Sequence, residues 1–398
     1  MRRRVLFIAP RIPFPLMQGD RIVCHQRLQS LSTKYAITLV TFYQSQQELE
    51  NTKLLLDFCE EIHTIYLPKW QSLLNCVMCL FDRHTPFQVA YYRSKQLQLK
   101  LDELTAQHDF DLAHYFLLRV ADYQVPSNVV KIIDLIDSMQ LNFSSRIAIE
   151  QNTVKKLILK TELNRVANYE IDVIDRFSKS ILVSKKDADF IDKYSPKMEV
   201  IPVVINTSIF KPSVIDRDHS SVKIIFSGRM AYEPNIYAVL WFAKNCWDRI
   251  HQAFPTAKFI VAGADATTEV INLGNARNIE IAGYVESMSA VISQADIAVV
   301  PMQSGSGMQN KILEAMACGV PVVTTTLGLG TIAAINGHSV MVADTVDEFV
   351  AAVITSIQDE YKRKEIGDNG RKLVESNHSL SSASTKIESI YKAIIGDR

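Results

Sequence analysis

The chain has 398 residues, 47% apolar and 22% charged, with 43 basic and 43 acidic side chains. That length exceeds what one core supports, so two domains are expected, and a net charge of zero argues against a dominant nucleic-acid surface. Six cysteines scattered through apolar patterns fit reduced thiols in a cytoplasmic protein.

The N-terminal cluster Arg2–Arg4 precedes an apolar stretch, Val5–Pro10, that is too short for a signal peptide and lacks a small-residue cleavage site. It reads as a first buried strand. Further strands are expected at Ile37–Phe42, Ile62–Tyr66, Leu112–Tyr115, Lys131–Leu135, Ser180–Val183 and Glu199–Pro202. Helical periods separate them, with one long helix expected across Gln140–Phe177. Short β-branched runs alternating with helices are the pattern of a parallel sheet covered on both faces. The run Leu73–Leu80 holds Cys76 and Cys79 and reads as a buried helical face rather than a zinc or redox site. Together with Arg2–Arg4, the stretch Trp70–Phe81 is also a candidate for contact with a membrane surface. No apolar span of 18 residues occurs, so no membrane crossing is expected.

The polar stretch 211–221 carries no period and reads as a linker, dividing a domain at 1–210 from one at 222–398, with packing of the last helix back on the first domain as the alternative. The second half restarts with Lys223–Ser227, followed by a helix from about Asn235 to Ala253. Strands follow at Lys258–Gly263, Ile279–Ile281, Ile297–Pro301, Val322–Thr324 and Ser339–Val342. Thr345-Val346-Asp347-Glu348 is a capping box, and the last helix places Ile387, Ile390, Ile394 and Ile395 on one face. The fold class is therefore α/β, two doubly wound domains whose strand ends face each other across a cleft.

Loops after strands are where such sheets bind ligands. Gly19, before the first helix, permits close backbone approach, and Asp20 beside it is an N-cap candidate. His114 lies near a strand end as a structural or substrate-binding histidine. Asp134 and Asp137 favour capping or hydroxyl binding over a metal site, and no metal is expected elsewhere. After Lys223–Ser227, Gly228 allows a turn and Arg229 is suited to bidentate phosphate contact. The run Ser304-Gly305-Ser306-Gly307-Met308-Gln309 is a small-residue loop before a helix opening at about Met308–Lys311. Free N–H groups there, with Lys311 in the first turn and Glu314 one turn on, form a ready anion site.

The second half resembles the nucleotide-sugar domain of retaining GT-B glycosyltransferases, the family 4 group. The matching elements run in order: Phe226-Ser227-Gly228-Arg229, Ile260-Val261-Ala262-Gly263, Ile281-Ala282-Gly283-Tyr284-Val285, Ala295-Asp296 with Val299-Val300-Pro301, and Leu313-Glu314-Ala315-Met316-Ala317-Cys318-Gly319-Val320-Pro321. The first half carries the companion Gly19 loop and the strand of Asp111 to His114. Tyr232-Glu233-Pro234-Asn235 and Gly307-Met308-Gln309-Asn310-Lys311 are similar to a narrower set, the sugar transferases of exopolysaccharide and exosortase (PEP-CTERM) clusters.

The resemblance implies transfer of a sugar, with retention, from a UDP- or GDP-linked donor to a glycan or polyprenyl-linked saccharide. The setting would be cell-surface polysaccharide synthesis in the cytoplasm or at the inner face of its membrane. Arg229 and Lys311 would neutralise the diphosphate, together with N–H groups of the Ser306–Gln309 loop. Glu314 would hold the ribose, and the backbone at Tyr284 and Val285 would border the base. Gly19 would let its loop close over the phosphates and donor sugar, and His114 would contact the sugar or the reacting centre. The nucleotide sugar would be a co-substrate, with no cofactor and no metal. The resemblance also marks departures. Ser306 stands where a glutamate is usual, Pro234 where a lysine is, and Val203-Val204 where Asn-Gly is. A glutamate past Gly328 is missing. The alternatives are a non-catalytic GT-B scaffold or partner subunit and a nucleotide-sugar 2-epimerase, for which no acid–base constellation is visible.

Overall fold

The computed structural model describes residues 2–16, 18–150, 152–213, 221–276, 278–304 and 309–396. The chain forms two compact units, Met1–Val203 with Ala383–Arg398, and Val204–Ser382. Most of the expected linker, residues 214–220, lies outside the described residues.

The first unit is built on β1 (Arg3–Ala9), β2 (Tyr35–Tyr43), β3 (Glu61–Tyr66), β4 (Leu112–Phe116), β5 (Val130–Ile136), β6 (Lys179–Leu182) and β7 (Met198–Val200). They make an all-parallel sheet in the order β3-β2-β1-β4-β5-β6-β7. Val5 to Ala9 are all fully buried, which is why β1 reads as a continuous apolar run and not an alternating one. The order reverses between β1 and β4, so the carboxyl ends of those two strands mark the switch point where such sheets leave a crevice. Beneath it, Arg27 donates to Asp134 at 2.7 Å with both side chains buried. Asp134 is thereby held as a structural ion pair.

The helix expected across Gln140–Phe177 is two helices, Met139–Ile149 and Thr153–Arg176. The break is local chemistry. Glu150 is extended, and the Asn152 side chain accepts from Lys155 N at 3.0 Å as a new N-cap. The first of the two helices starts under Glu170, a fully buried carboxyl that accepts from the backbone N of Met139 at 2.6 Å and of Gln140 at 3.2 Å. Burial pushes Glu170 up to about 7, against the pull of those hydrogen bonds. A carboxyl raised in the folded state contributes stability that is complete below its unfolded value near 4.5 and is lost as pH climbs through the folded value. Wild-type stability should therefore fall by about 3 kcal/mol between those pH values on this account. Thermal melts across pH 4 to 8, in which Glu170→Gln fails to flatten the curve, would refute the assignment.

A second difference concerns the run Leu73–Leu80. It lies in the helix Lys69–Cys79, but Leu73, Leu74, Val77, Met78 and Leu80 are exposed. The expected buried face is turned outward, while Cys79 is buried and both Cys76 and Cys79 are free thiols. The helix Leu380–Ile395 closes the other side of the sheet within this unit, buried through Ala383, Ile387, Ile390 and Tyr391.

The second unit carries β8 (Lys223–Ser227), β9 (Lys258–Ala262), β10 (Ile279–Gly283), β11 (Ile297–Val300), β12 (Val322–Thr324) and β13 (Met341–Val342). Its sheet is all-parallel in the order β10-β9-β8-β11-β12-β13, with the switch point between β8 and β11. Both bonds of the Thr345/Glu348 capping box form, and the helix Val346–Gln358 buries Phe349, Val350, Val353 and Ile357. Behind the switch point, the helix Asn310–Ala317 ends on Gly319 (φ +69°), and the helix Glu360–Asn377 packs so closely there that a Cβ on Gly367 would meet the Gly319 carbonyl at 2.4 Å. That packing fixes where Asn310–Ala317 points.

Candidate functional site

Three glycines end three adjacent strands of the second unit and lay their loops against one another. Gly228 N donates to Ala262 O at 2.9 Å, Gly263 N to Gly283 O at 2.8 Å, and Met230 N to Ala264 O at 2.8 Å. Gly228 (φ +148°) and Gly263 (φ +151°) occupy backbone regions that L side chains rarely adopt. The contact between them excludes a side chain outright, since a Cβ on Gly263 would lie 1.9 Å from the Gly228 carbonyl oxygen.

Gly228 is also the floor under Lys311. A Cβ there would meet Lys311 Cε at 3.2 Å and Asn235 Nδ2 at 2.8 Å. Lys311, in the first turn of Asn310–Ala317, is not the solvated lysine that a helix start usually carries; it is 9% exposed. Its ammonium lies 5.6 Å from the Phe226 ring centroid and donates to Gln309 Oε1 at 2.7 Å. Burial lowers it to about 8, opposed by the nearby Glu314 charge. Glu314, one turn on, is pushed up by its own burial and pulled back by Lys311. A half-desolvated cation and a half-desolvated acid share one helix face at the switch point, each gaining from a polar ligand that completes its hydrogen bonds.

Arg229 follows Gly228 and is mostly exposed; its Nε donates to Asp265 Oδ2 at 2.7 Å. Asp265 itself sits at φ +63° in the turn after β9. The Arg229 carbonyl accepts from Asn235 Nδ2 at 2.8 Å. Tyr284 is exposed and Val285 half-buried just past Gly283 (φ +63°). Gly228, Arg229, Gln309, Lys311 and Glu314 thus gather on the loops around β8 and the helix after β11. Ser306, Gly307 and Met308 lie outside the described residues. Asn235 and Asp265 were not singled out from the sequence. The available signal for Asn235 was an amide in the first turn of an otherwise apolar helix, Glu233–Phe242.

In the first unit the positions differ from expectation at His114. It is fully buried mid-strand, stacked on Phe7 at 4.5 Å, with Nδ1 2.7 Å from the Tyr391 hydroxyl. Burial, with Arg27 adding, drives it down to about 3, which favours the neutral imidazole, enclosed between Phe7 and Tyr391. The reason is the returning helix: alternation turns His114 toward the face that Leu380–Ile395 covers. Asp20 does not cap the helix Gly19–Ser32 with its side chain; Gln18 occupies the N-cap position. Burial works to raise Asp20, but its bonds to Arg11 and the Arg119 guanidinium at 3.4 Å hold it below the usual carboxylate value. Gly19 has open space around its Cα. Asp137, after β5, faces solvent at its tip yet is ringed by enough protein to be desolvated, and Asp187, Asp134 and Asp20 add repulsion. Together they push it up to about 6.

Residues 221–359 match the family model described as Glycosyl transferases group 1. Over that span the chain resembles a group 1 glycosyltransferase domain. Every site residue just assembled around β8 and β11 lies inside the matched span. The two units, each with its all-parallel sheet, together have the GT-B fold. The chain superposes on the crystal structure of Anabaena Alr3699/HepE in complex with UDP, with a TM-score of 0.66, 13% identity and coverage of 98% of this chain and 100% of that one. It is also similar to sucrose-phosphate synthase from Thermosynechococcus elongatus, with a TM-score of 0.66, 14% identity and 99% of each chain covered. In sequence it is 20% identical over 393 residues to an uncharacterised 44.6 kDa protein in the cps region of Klebsiella pneumoniae, covering 94% of this chain and 96% of that protein.

Proposed function

We propose that the transferase moves a sugar from a UDP- or GDP-linked donor to a glycan or polyprenyl-linked saccharide, with retention at the anomeric carbon, during synthesis of a cell-surface polysaccharide. The observation that carries this is Lys311: a buried cation, seated on Gly228 at the switch point and carried by a helix start, with Glu314 one turn behind it. In the transfer, the bond from the anomeric carbon to the diphosphate breaks as the acceptor oxygen bonds to that carbon. A donor phosphate oxygen takes the acceptor proton, so no protein base is needed. Negative charge grows on the leaving diphosphate, where Lys311 and Arg229 stabilise the transition state more than the ground state. Glu314 accepts hydrogen bonds from the ribose hydroxyls, and Tyr284 and Val285 border the base. Ser306, Gly307, Met308 and Gln309 are donor-binding residues in this reading. Asp20 and Asp137 belong to the acceptor side; Asp137, at about 6, suits a hydroxyl partner.

The cps-region relative and a UDP complex among the similar structures support the setting and the donor class. Free thiols at all six cysteines suit a reducing, cytoplasmic location. The reading is tested with a panel of UDP- and GDP-sugars and lipid-linked acceptors, following release of nucleoside diphosphate. Acceptor-stimulated release, undiminished by EDTA, is the expected outcome, since lysine and arginine do the work of a metal. Sugar interconversion without release would assign an epimerase, and tight binding without turnover a scaffold.

A further inference from the structure

The helix Lys69–Cys79 in the first unit is inverted. A surface helix ordinarily buries its apolar stripe and shows its polar side to water. Here Trp70, Leu73, Leu74, Val77, Met78 and Phe81 fall at i, i+3, i+4, i+7, i+8 and i+11, and all six are exposed, from 52% at Leu74 to 88% at Phe81. The inward side is small and polar. Ser72 is fully buried, Asn75 Nδ2 donates to Arg93 O at 2.9 Å, and the Cys76 and Cys79 thiols point to the carbonyls of Phe87 and Thr85. These anchors lock the helix with its apolar stripe outward, against the hydrophobic driving force.

The helix Thr153–Arg176 passes close behind, its Glu162 and Arg165 acting on Cys79. In its first turns Val154, Leu157 and Ile158 are exposed at the same spacing. Lys155, Lys156 and Lys160 lie among them with no acid between Thr153 and Thr161, and Lys69 and Arg83 flank the first helix. The nearby acids are occupied, Asp82 by Thr85 and Arg93 and Glu162 by the backbone N of Phe87 at 2.7 Å. In a chain with zero net charge this is a local basic excess around an apolar patch.

We propose that this face, the helix Lys69–Cys79 with the first turns of Thr153–Arg176, docks the protein on an anionic lipid bilayer, lying in the interface with Trp70 and Phe81 as anchors at its two ends. The charge decides between occupants. A two-fold contact with a second copy sets the lysine rim against itself, whereas anionic headgroups neutralise it while the acyl boundary takes the apolar stripe. No described helix is long and apolar enough to cross a membrane, so the contact is peripheral.

Trp70 makes the test specific. Of three tryptophans, Trp247 is buried and Trp241 half-buried, so a shift in emission on adding vesicles reports Trp70. Full-length protein should shift to the blue with phosphatidylglycerol/phosphatidylcholine vesicles, weakly with phosphatidylcholine alone, and less in high salt. Val77→Asp with Met78→Asp should lower partitioning by about tenfold or more, as should Lys155→Glu with Lys160→Glu. Both pairs are on the surface, so circular dichroism and Tm should be unchanged. No shift with anionic vesicles overturns the proposal. So does concentration-dependent dimerisation that Val77→Asp with Met78→Asp abolishes, which would assign the face to a second copy. The assay contains no sugar donor, so its outcome is separate from that of the transfer assay.

Discussion

Lys311→Ala is expected to lower kcat/KM for donor turnover by about 10² to 10³, the loss typical of one fixed charge removed from a developing anion. Arg229→Ala should cost at least about 10² as well, but less than Lys311→Ala, because its exposed guanidinium already shares charge with Asp265. Lys311→Met separates catalysis from folding. The lysine is lowered from 10.5 to about 8 in the folded state, so the unfolded chain binds the proton more tightly. Wild-type stability on this account rises with pH between those two values, and below about 8 the full cost of about 3 kcal/mol is present. Methionine has no such cost. Lys311→Met should therefore be as stable as wild type or more so at pH 7, while losing turnover. Binding of a nucleoside diphosphate carries a second signature. The anion favours the charged ammonium, so UDP or GDP affinity should be level below pH 8 and fall as pH rises through that value. Calorimetry on Lys311→Met should show weak binding without that fall. A variant that turns over at the wild-type rate would remove Lys311 from the site.

Gly263→Ala is expected to cost more than about 3 kcal/mol, among the largest effects of any single methyl addition in the chain. Two costs coincide: φ of +151° is strained for any side chain, and the new Cβ would stand 1.9 Å from the Gly228 carbonyl. The loop after β8 has to retreat, and it carries Gly228 away from the Lys311 stem. Denaturant melts should show the loss in the midpoint, and residual folded protein should bind the nucleoside diphosphate poorly. Gly19→Ala is the control. Nothing stands within 4 Å of its Cβ position, so its Tm should stay at the wild-type value. If Gly263→Ala proves as stable as wild type, the close approach of the two loops is wrong.

Much of the architecture was legible because buried parallel strands write themselves as short apolar, β-branched runs. Each expected strand of both sheets is present, with ends displaced by at most two residues. The gathering of Gly228, Lys311 and Glu314 at one switch point was legible for a related reason: each sits at a fixed place relative to a strand end. Burial was not legible. Nothing local distinguishes Lys311 from a solvated lysine in a first turn; its desolvation comes from Phe226 and Gly228, more than eighty residues away. The full burial of His114 was hidden for the same reason, since Tyr391, which covers it, is 277 residues distant in sequence. The break before Thr153 rested on one asparagine cap inside a run of good helix formers. In the helix Lys69–Cys79 the apolar period was correct, but the side that faces outward is decided by Asn75 and the two thiols, which period alone does not weigh.

The helix that covers His114 has a consequence for the order in which the molecule comes into being. Residues 383–398 complete the first unit, yet they follow the whole of the second unit in the chain and so leave the ribosome after it. Until then the sheet face that holds Phe7, His114 and Tyr35 has no Tyr391 against it. The unit synthesised first is thus the last that can close its core, whereas Val204–Ser382 is contiguous and has all its residues before the terminal helix exists. Nascent chains therefore pass through a stage with a complete second unit and an open first sheet, and any premature stop within the helix Leu380–Ile395 leaves the protein at that stage.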